Sequence, residues 1–149
     1  MTVSLNAIDF INSIGINTRI PFTSTNYAFS QRVLDGLNYL GITNVRDIDV
    51  PVYPSSGQIA LAYDKLANAG IKFDMQNDAS SASALASTLN TVKAFAIAHP
   101  GSVVALEGLN EPNASTTYTD GNGQTFTGQA AAAAFMTDFV SMINVIKAQ

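Results

Sequence analysis

Short apolar runs alternate along this chain with longer segments in which apolar residues recur every three or four positions. The runs near 16–20, 42–47, 71–75 and 103–110 predict strands, because they are brief and bounded by turn residues. The longer segments predict helices, since such spacing places apolar side chains on one helical face. The faces are marked by Val33, Leu34, Leu37 and Leu40, by Ile59, Tyr63 and Leu66, by Leu85, Leu89, Val92 and Phe95 within 81–98, and by Phe135, Phe139, Ile143 and Ile146 within 129–147.

A glycine precedes each predicted strand. Gly15, Gly41, Gly70 and Gly101 are separated by 26, 29 and 31 residues, close to the ~30 residues of one βα unit. A glycine after a helix supplies the left-handed conformation that the turn into the next strand requires. Four strands alternating with four helices therefore predict an α/β fold with a parallel sheet covered by helices.

A parallel sheet of this kind is either open and doubly wound or part of a closed barrel. The sequence does not favour an open sheet that binds nucleotides, because the chain has no Gly-x-Gly-x-x-Gly loop after a strand and no Walker-type lysine loop. The Gly-x-Gly within Asp120–Gly123 predicts a tight turn between 117–119 and 124–126, and hence a β-hairpin before the fourth helix. A calcium loop at the same place would have too few carboxylates.

Composition narrows the possible partners. The 149 residues are enough for one domain, 1–149, and the 47% of hydrophobic residues include no run near the ~20 that a membrane span needs. Charged residues make up 12% and the formal net charge is −4, so the basic surface that nucleic acid requires is absent. Cysteine is absent, which excludes disulfides and thiolate metal sites. We expect no metal, no cofactor, no nucleic acid and no membrane partner.

The polar residues suggest a location outside the cell. They are mainly serine, threonine, asparagine and glutamine, with little lysine, a composition common in exported bacterial proteins. The opening residues Met1–Leu5 lack the basic region and apolar core of a signal peptide. We therefore expect a secreted protein whose signal peptide is not visible in this sequence.

Candidate chemistry is sought at the carboxyl ends of the strands, where active sites of parallel α/β folds lie. The first three predicted strand ends offer Arg19, 46–49 with an arginine and two aspartates, and Gln76–Asp78. The fourth offers Asn110-Glu111-Pro112-Asn113, the most specific of the four. There a carboxyl stands beside an amide, and the proline forces the chain out of the hydrogen-bonded ladder.

The stretch Ala105–Asn113 resembles the fourth-strand signature of the clan A glycoside hydrolases, the (β/α)₈ enzymes related to cellulases, mannanases and xylosidases. Supporting matches are Gly15–Thr18 in the first strand and Leu40–Asp47 leading into the second. The resemblance covers essentially the whole chain in the correct order. It implies that residues 1–149 are the N-terminal half of a catalytic domain, with the first four units of a TIM barrel.

The resemblance also implies roles for three residues in a retaining, two-carboxylate hydrolysis of O-glycosidic bonds. Glu111 would be the acid/base that protonates the departing oxygen, and Asn110 would bind the sugar 2-hydroxyl. Arg46 matches an arginine that orients the nucleophile near the end of the second strand. The alternatives are a solvated loop carboxylate for Glu111 and an ion pair inside the barrel for Arg46.

Glu107 needs separate treatment, because retaining chemistry requires two carboxylates. Alternation along the strand makes Glu107 and Glu111 face the same way, but four residues separate their backbones by roughly 13 Å. A retaining pair needs carboxyl groups only about 5–5.5 Å apart. We therefore predict that Glu107 is a mid-barrel carboxylate neutralised by Arg46 or Arg19, since buried charges need partners.

The family's nucleophile, a glutamate at the end of the seventh strand, has no counterpart in this chain. Asp47, Asp49, Asp74 and Asp78 lie near strand ends, but the resemblance gives none of them that role. A half barrel would leave two open edges and an apolar sheet face incompletely covered. We therefore expect completion by a C-terminal half, or else by self-association, and no glycosidase activity from these residues alone.

Two further readings stay open. A degenerate barrel could be a non-catalytic carbohydrate-binding or surface-associated module, and the chain could also be an α/β domain unrelated to sugars. Tyr27, Tyr53, Tyr118 and Phe126 are candidate sugar-stacking residues because they lie in or near strand-end loops. His99, at the end of the third helix, is expected to cap helix carbonyls.

Overall fold

A computed structural model describes residues 14–49, 52–110 and 116–147. Its main sheet has four parallel strands in the order β1-β2-β3-β4, so β1 and β4 lie at the two edges. The strands are β1 (Gly15–Asn17), β2 (Asn44–Ile48), β3 (Lys72–Gln76) and β4 (Val103–Glu107), and the helices are α1 (Ser30–Leu40), α2 (Gln58–Asn68), α3 (Ala82–Ala98) and α4 (Gly128–Lys147). The predicted α/β alternation and the sequential parallel order are confirmed.

A two-stranded antiparallel hairpin follows the sheet. It pairs β5 (Thr117–Thr119) with β6 (Thr125–Thr127), as the turn sequence predicted. Asp120 organises the turn, because its Oδ1 accepts hydrogen bonds from the backbone N–H groups of Asn122 and Gln124 at 3.0 and 2.8 Å. The acidic side chain therefore has a role in the turn itself.

Two strands are shorter than predicted, and for the same reason. The predicted strands ran to Ile20 and Asn110, but β1 ends at Asn17 and β4 at Glu107. The backbone N–H of Ile20 donates to the Asp47 carboxylate at 3.1 Å, and that of Asn110 donates to Asp78 at 3.2 Å. Aspartate side chains from neighbouring strand ends thus replace the backbone ladder at both places.

The junction glycines behave as predicted at three of the four positions. Gly41, Gly70 and Gly101 have φ of 66°, 86° and 80°, the left-handed conformation that ends a helix and starts the next turn. Gly15 differs, because it lies inside β1 and has no positive φ. A Cβ there would approach the Asn44 carbonyl oxygen to 3.1 Å, so close backbone packing against β2 accounts for this glycine.

The apolar core lies on the helix-covered side of the sheet. Tyr63 from α2, Phe73 from β3 and Phe95 from α3 are fully buried, and their rings lie 5.4–6.1 Å apart. Tyr63 and Phe73 each pack edge to face on Phe95, and the rings of Tyr63 and Phe73 are tilted by 48°. Such aromatic pairs add to the gain from burial. A second cluster joins α3, the hairpin and α4 around Tyr118 and Phe135.

The opposite face of the sheet carries mainly polar side chains, so the expectation of an apolar uncovered face is wrong for the described strands. Alternation along the strands puts Val45, Phe73 and Leu106 toward the helices and puts their neighbours on the other side. The parallel register then places polar residues side by side on the uncovered face. These residues are Asn17, Asn44, Arg46, Lys72, Asp74, Gln76 and Glu107.

Among the described residues, no helix combines the length and apolar composition needed to cross a bilayer.

Candidate functional site

Arg46 and Glu107 form the centre of a polar cluster on the uncovered face. The guanidinium of Arg46 donates from Nε to both carboxylate oxygens of Glu107 at 2.9 and 3.0 Å, and from Nη2 to Oε2 at 2.5 Å. Both side chains are partly exposed, at 29% and 36%. The predicted pairing of Glu107 with an arginine is confirmed, and it identifies Arg46 rather than Arg19 as the partner.

Asn110 joins the same guanidinium. Its side-chain oxygen accepts a hydrogen bond from Arg46 Nη2 at 3.1 Å. Its backbone N–H donates to Asp78, so the loop after β4 is held to the loop after β3. Two of the residues singled out from the sequence, Arg46 and Asn110, are therefore in direct contact at the carboxyl end of the sheet.

Glu111, the predicted acid/base, lies outside the described residues. The described chain stops at Asn110 and resumes at Thr116. The arginine–asparagine contact fixes the position of the residue immediately before Glu111. The role of Glu111 stays a prediction.

Asp74 extends the cluster to the central strand β3. It lies directly opposite Arg46 in the β2–β3 register, and the neighbouring Glu107 carboxyl on β4 acts on its ionisation. Burial, together with the Glu107 carboxyl, raises the pKa of Asp74 to about 6 against the opposing effect of Arg46. The Arg46 hydrogen bonds conversely lower the pKa of Glu107. The pair therefore favours a neutral Asp74 beside an ionised Glu107.

Gln76 and Asp78 complete the polar strand end. Gln76 is buried, and its amide donates to Asp78 at 2.6 Å. Asp78 in turn accepts the backbone N–H of Asn110. Sequence reasoning gave neither Asp74 nor Asp78 a role. The period-2 placement of Asp74 and Gln76 was available as a signal, but the register that brings Asp74 to Arg46 was not.

Asp47 and Asp49 do not join this cluster. Asp47 is 2% exposed on the helix-covered side, where it accepts hydrogen bonds from Thr18, Ile20 and Ile48. Asp49 lies beyond β2, and burial raises its pKa to about 6. Neither residue belongs to the polar face that carries Arg46.

His99 has a different contact from the one expected. Its ring Nε2 lies 2.7 Å from Asp64 Oδ1 and 3.4 Å from the hydroxyl of Tyr53, so the side chain does not cap helix carbonyls. The backbone N–H of His99 makes the capping bond instead, to the Phe95 carbonyl at 2.9 Å. Asp64 on the neighbouring helix α2 contacts the ring, and this contact takes the place of the expected contact with helix carbonyls.

The candidate stacking aromatics belong largely to the core. Tyr118 is fully buried against Phe135, and its hydroxyl donates to Asp138 at 3.0 Å. Tyr53 is half-buried and packs edge to face on Phe95, with ring centroids 5.2 Å apart. A core role thus accounts for both tyrosines. Within the described ranges, no group of three or more histidine, cysteine or acidic residues is placed to hold a metal ion.

No family model, no curated protein and no solved structure matches this chain. What the fold and the site define is an α/β protein with a four-stranded parallel sheet alternating with helices, and a polar cluster at the carboxyl end of that sheet. The cluster offers an arginine, an amide and three carboxyl groups, from Asp74, Asp78 and Glu107. Such groups can donate and accept hydrogen bonds with a polyhydroxyl ligand.

Proposed function

We propose that this chain supplies the first four βα units of a (β/α)₈ barrel in a retaining glycoside hydrolase. Glu111 is its acid/base, and Asn110 and Arg46 bind the substrate. The substrate is an oligo- or polysaccharide met outside the cell. The observation that carries the proposal is the 3.1 Å hydrogen bond between Arg46 and Asn110.

The sheet topology supports the barrel. Strands in sequential parallel order, each followed by a helix on the same side, are the repeating unit of a TIM barrel. The interior of such a barrel is lined by the side chains opposite the helices. The polar face with Arg46, Asp74 and Glu107 would then form the interior near the barrel mouth, where charged groups can pair.

In the proposed reaction, a nucleophilic carboxylate from the second half of the barrel attacks the anomeric carbon. Glu111 gives its proton to the glycosidic oxygen as the bond to the leaving group breaks. A water molecule then gives a proton to Glu111 and attacks the glycosyl-enzyme, which releases the sugar and the nucleophile. Asn110 binds the 2-hydroxyl throughout, and Arg46 holds the Asn110 amide in place.

The test is Glu111→Gln in the longest natural polypeptide that carries this sequence. Hydrolysis of glycosides with poor leaving groups should fall by about 10²–10⁴-fold, because their departure requires protonation. The rate at which activated aryl glycosides glycosylate the enzyme should fall far less. Azide should restore the turnover of these substrates, because it replaces the water that Glu111 would activate. Asp35→Asn, on the exposed side of α1, is the matched control and should leave both rates unchanged.

Two outcomes would count against the proposal. If Glu111→Gln cleaves glycans as fast as the unaltered protein, Glu111 is not the acid/base and the proposed mechanism is wrong. Glycan binding without cleavage by the unaltered polypeptide would favour a carbohydrate-binding module built on the same fold.

A further inference from the structure

Three carboxyl or guanidinium groups from three neighbouring strands meet on the uncovered face. Arg46 comes from β2, Asp74 from β3 and Glu107 from β4. The arginine donates to Glu107 from Nε and Nη2 and to Asn110 from Nη2. Asp74 lies between the strands that carry this pair, yet it makes no ion pair with Arg46 among the described contacts.

The carboxyl group of Asp74 is poorly suited to carry a charge where it lies. Its Oδ1 atom is buried and has no hydrogen-bond donor. An ionised oxygen without a donor is costly away from water, so this position favours the neutral acid. The neutral acid also avoids a second negative charge beside the Glu107 carboxyl, which raises the pKa of Asp74.

We propose that Asp74 is a positioning residue of the site, which stays neutral beside the Arg46–Glu107 pair and thereby keeps the Arg46 guanidinium turned toward Asn110. The inference rests on the proposed function only where it concerns carbohydrate. The charged groups that face Asp74 among the described residues are Arg46 on β2 and Glu107 on β4. Lys72 precedes it on β3, and Asp78 follows it in the loop after β3.

Loss of the proton from the Asp74 carboxyl group changes the balance of charge around Arg46. A second carboxylate then stands beside Glu107 and repels it, while it attracts the guanidinium from the strand directly opposite. The Nη2 group that donates to Asn110 is the same one that donates to Glu107. Rotation of the guanidinium toward Asp74 therefore withdraws the donor from Asn110 and frees the amide that precedes Glu111.

The first test follows the groups directly by nuclear magnetic resonance of the 149-residue chain between pH 4 and 8. The Asp74 carboxyl carbon should titrate near pH 6, in keeping with its raised pKa. The Arg46 Nε–H and Asn110 side-chain signals should move with the same midpoint. Arg46 and Asn110 signals that stay fixed across this range would overturn the proposal, whatever the chain does with carbohydrate.

Two variants separate positioning from a general effect of acid. In Asp74→Asn, the movement of the Arg46 and Asn110 signals near pH 6 should disappear. In Asp49→Asn the movement should persist, because Asp49 also has a pKa of about 6 but interacts with Asp78 and not with Arg46 or Glu107. Persistence of the movement in a folded Asp74→Asn protein would contradict the assignment. If Asp74→Asn fails to fold, the proposal is tested in the unaltered chain by whether the Arg46 and Asn110 signals share the titration midpoint of Asp74.

The second test uses a neutral β-glucan oligosaccharide as the probe of the site. Its affinity for the unaltered chain should fall by about five- to tenfold from pH 5 to pH 7.5, a typical size for coupling between two equilibria. In Asp74→Asn the affinity should become independent of pH. Coupled signals without any oligosaccharide binding would leave Asp74 as the positioning residue and remove the proposed function. Oligosaccharide binding that does not change with pH would remove the positioning role alone.

Discussion

The hydroxyl of Thr18, just after β1, donates a 2.5 Å hydrogen bond to the carboxylate of Asp47, near the end of β2. The same carboxylate accepts the backbone N–H groups of Ile20 at 3.1 Å and Ile48 at 2.8 Å. Burial raises the pKa of Asp47 in spite of these three donors. One acidic side chain thus satisfies the backbone where β1 leaves the sheet.

Asp47→Ala should lower the free energy of unfolding by about 2–4 kcal/mol, because it leaves the Thr18 hydroxyl and two backbone N–H groups without their acceptor. Thr18→Val should cost less, about 1–2 kcal/mol, since it removes a single bond. Urea denaturation followed by circular dichroism measures both values. Asp35→Ala, at an exposed position of α1, is the control and should stay within about 0.5 kcal/mol of the unaltered protein. Equal stability of Asp47→Ala and the control would refute this account.

Arg46→Ala should destabilise the chain by about 1–3 kcal/mol, because Glu107 would lose both halves of its two-pronged ion pair. Arg46→Lys should recover only part of this loss, since an ammonium group cannot match the planar fork of a guanidinium. The coupling between Arg46 and Glu107 is measured with the Arg46→Ala, Glu107→Gln double-mutant cycle. A coupling energy near zero would show that the pair is only a solvated surface contact.

The stability of the chain should depend on pH through Asp49 and Asp74. Both have a pKa of about 6 in the folded chain, above the ordinary aspartate value of 3.8. A carboxyl group whose pKa is raised by folding contributes a stabilisation that is fully present at a pH below its pKa in the unfolded chain. This stabilisation is lost as the pH rises through its pKa in the folded chain. These two groups should therefore lower the free energy of unfolding between pH 4 and about 6.

The variant that isolates this effect is Asp49→Asn. It should flatten the pH profile and make the chain more stable at pH 7.5, because burial of a charge is the main cause of the raised pKa. Urea midpoints at half-unit steps from pH 4 to 8 provide the measurement. A profile that keeps its full slope in both Asp49→Asn and Asp74→Asn would assign the dependence to other groups.

Gly70→Ala should cost about 1–2 kcal/mol, because residue 70 has a φ of 86°, which an alanine adopts only with strain. Gly36→Ala is the matched control within α1. A Cβ there meets nothing within 4 Å, so the substitution should instead stabilise the chain by about 0.5–1 kcal/mol. Thermal melts of the two variants should shift in opposite directions. Stabilisation by both would mean that the junction does not need its left-handed residue.

The chain should self-associate in dilute solution through the β4 edge. Val104 on that strand is 54% exposed, and it lines a cavity of about 320 Å³ together with Ile143 of α4. Val104→Lys should shift sedimentation toward the monomer, since a charge on an edge strand discourages further pairing. Val52→Lys changes a valine of similar exposure, at 61%, in a loop and should have no such effect. A compact monomer for the unaltered chain would contradict the half-barrel proposal.

The architecture could be predicted from the sequence because its signals are local. Helical spacing and the glycines at positions 41, 70 and 101 suffice to place each βα unit, and Asp120–Gly123 suffices for the hairpin. The strand ends could not be predicted, because the N–H groups of Ile20 and Asn110 are taken by aspartates about 30 residues away in the sequence. Contacts of that kind depend on register, which no local pattern encodes.

The candidate site divides in the same way. The pairing of Glu107 with an arginine could be predicted, because a charge that is even partly removed from water on a sheet face favours a partner of opposite sign. The choice of Arg46, the contact with Asn110 and the involvement of Asp74 all depend on which residues stand side by side on three strands. His99 shows the same limit, since its partner Asp64 comes from a different helix.

The polar uncovered face bears on how the chain folds while it is being synthesised. The aromatic core on the other side forms between neighbouring βα units, so its contacts become available as soon as each unit has left the ribosome. The side chains of Arg46, Asp74 and Glu107 stay hydrated during that time. The nascent sheet therefore exposes little apolar surface on this side. We expect each new unit to dock on its predecessor in turn, with the charged cluster assembling only when β4 arrives.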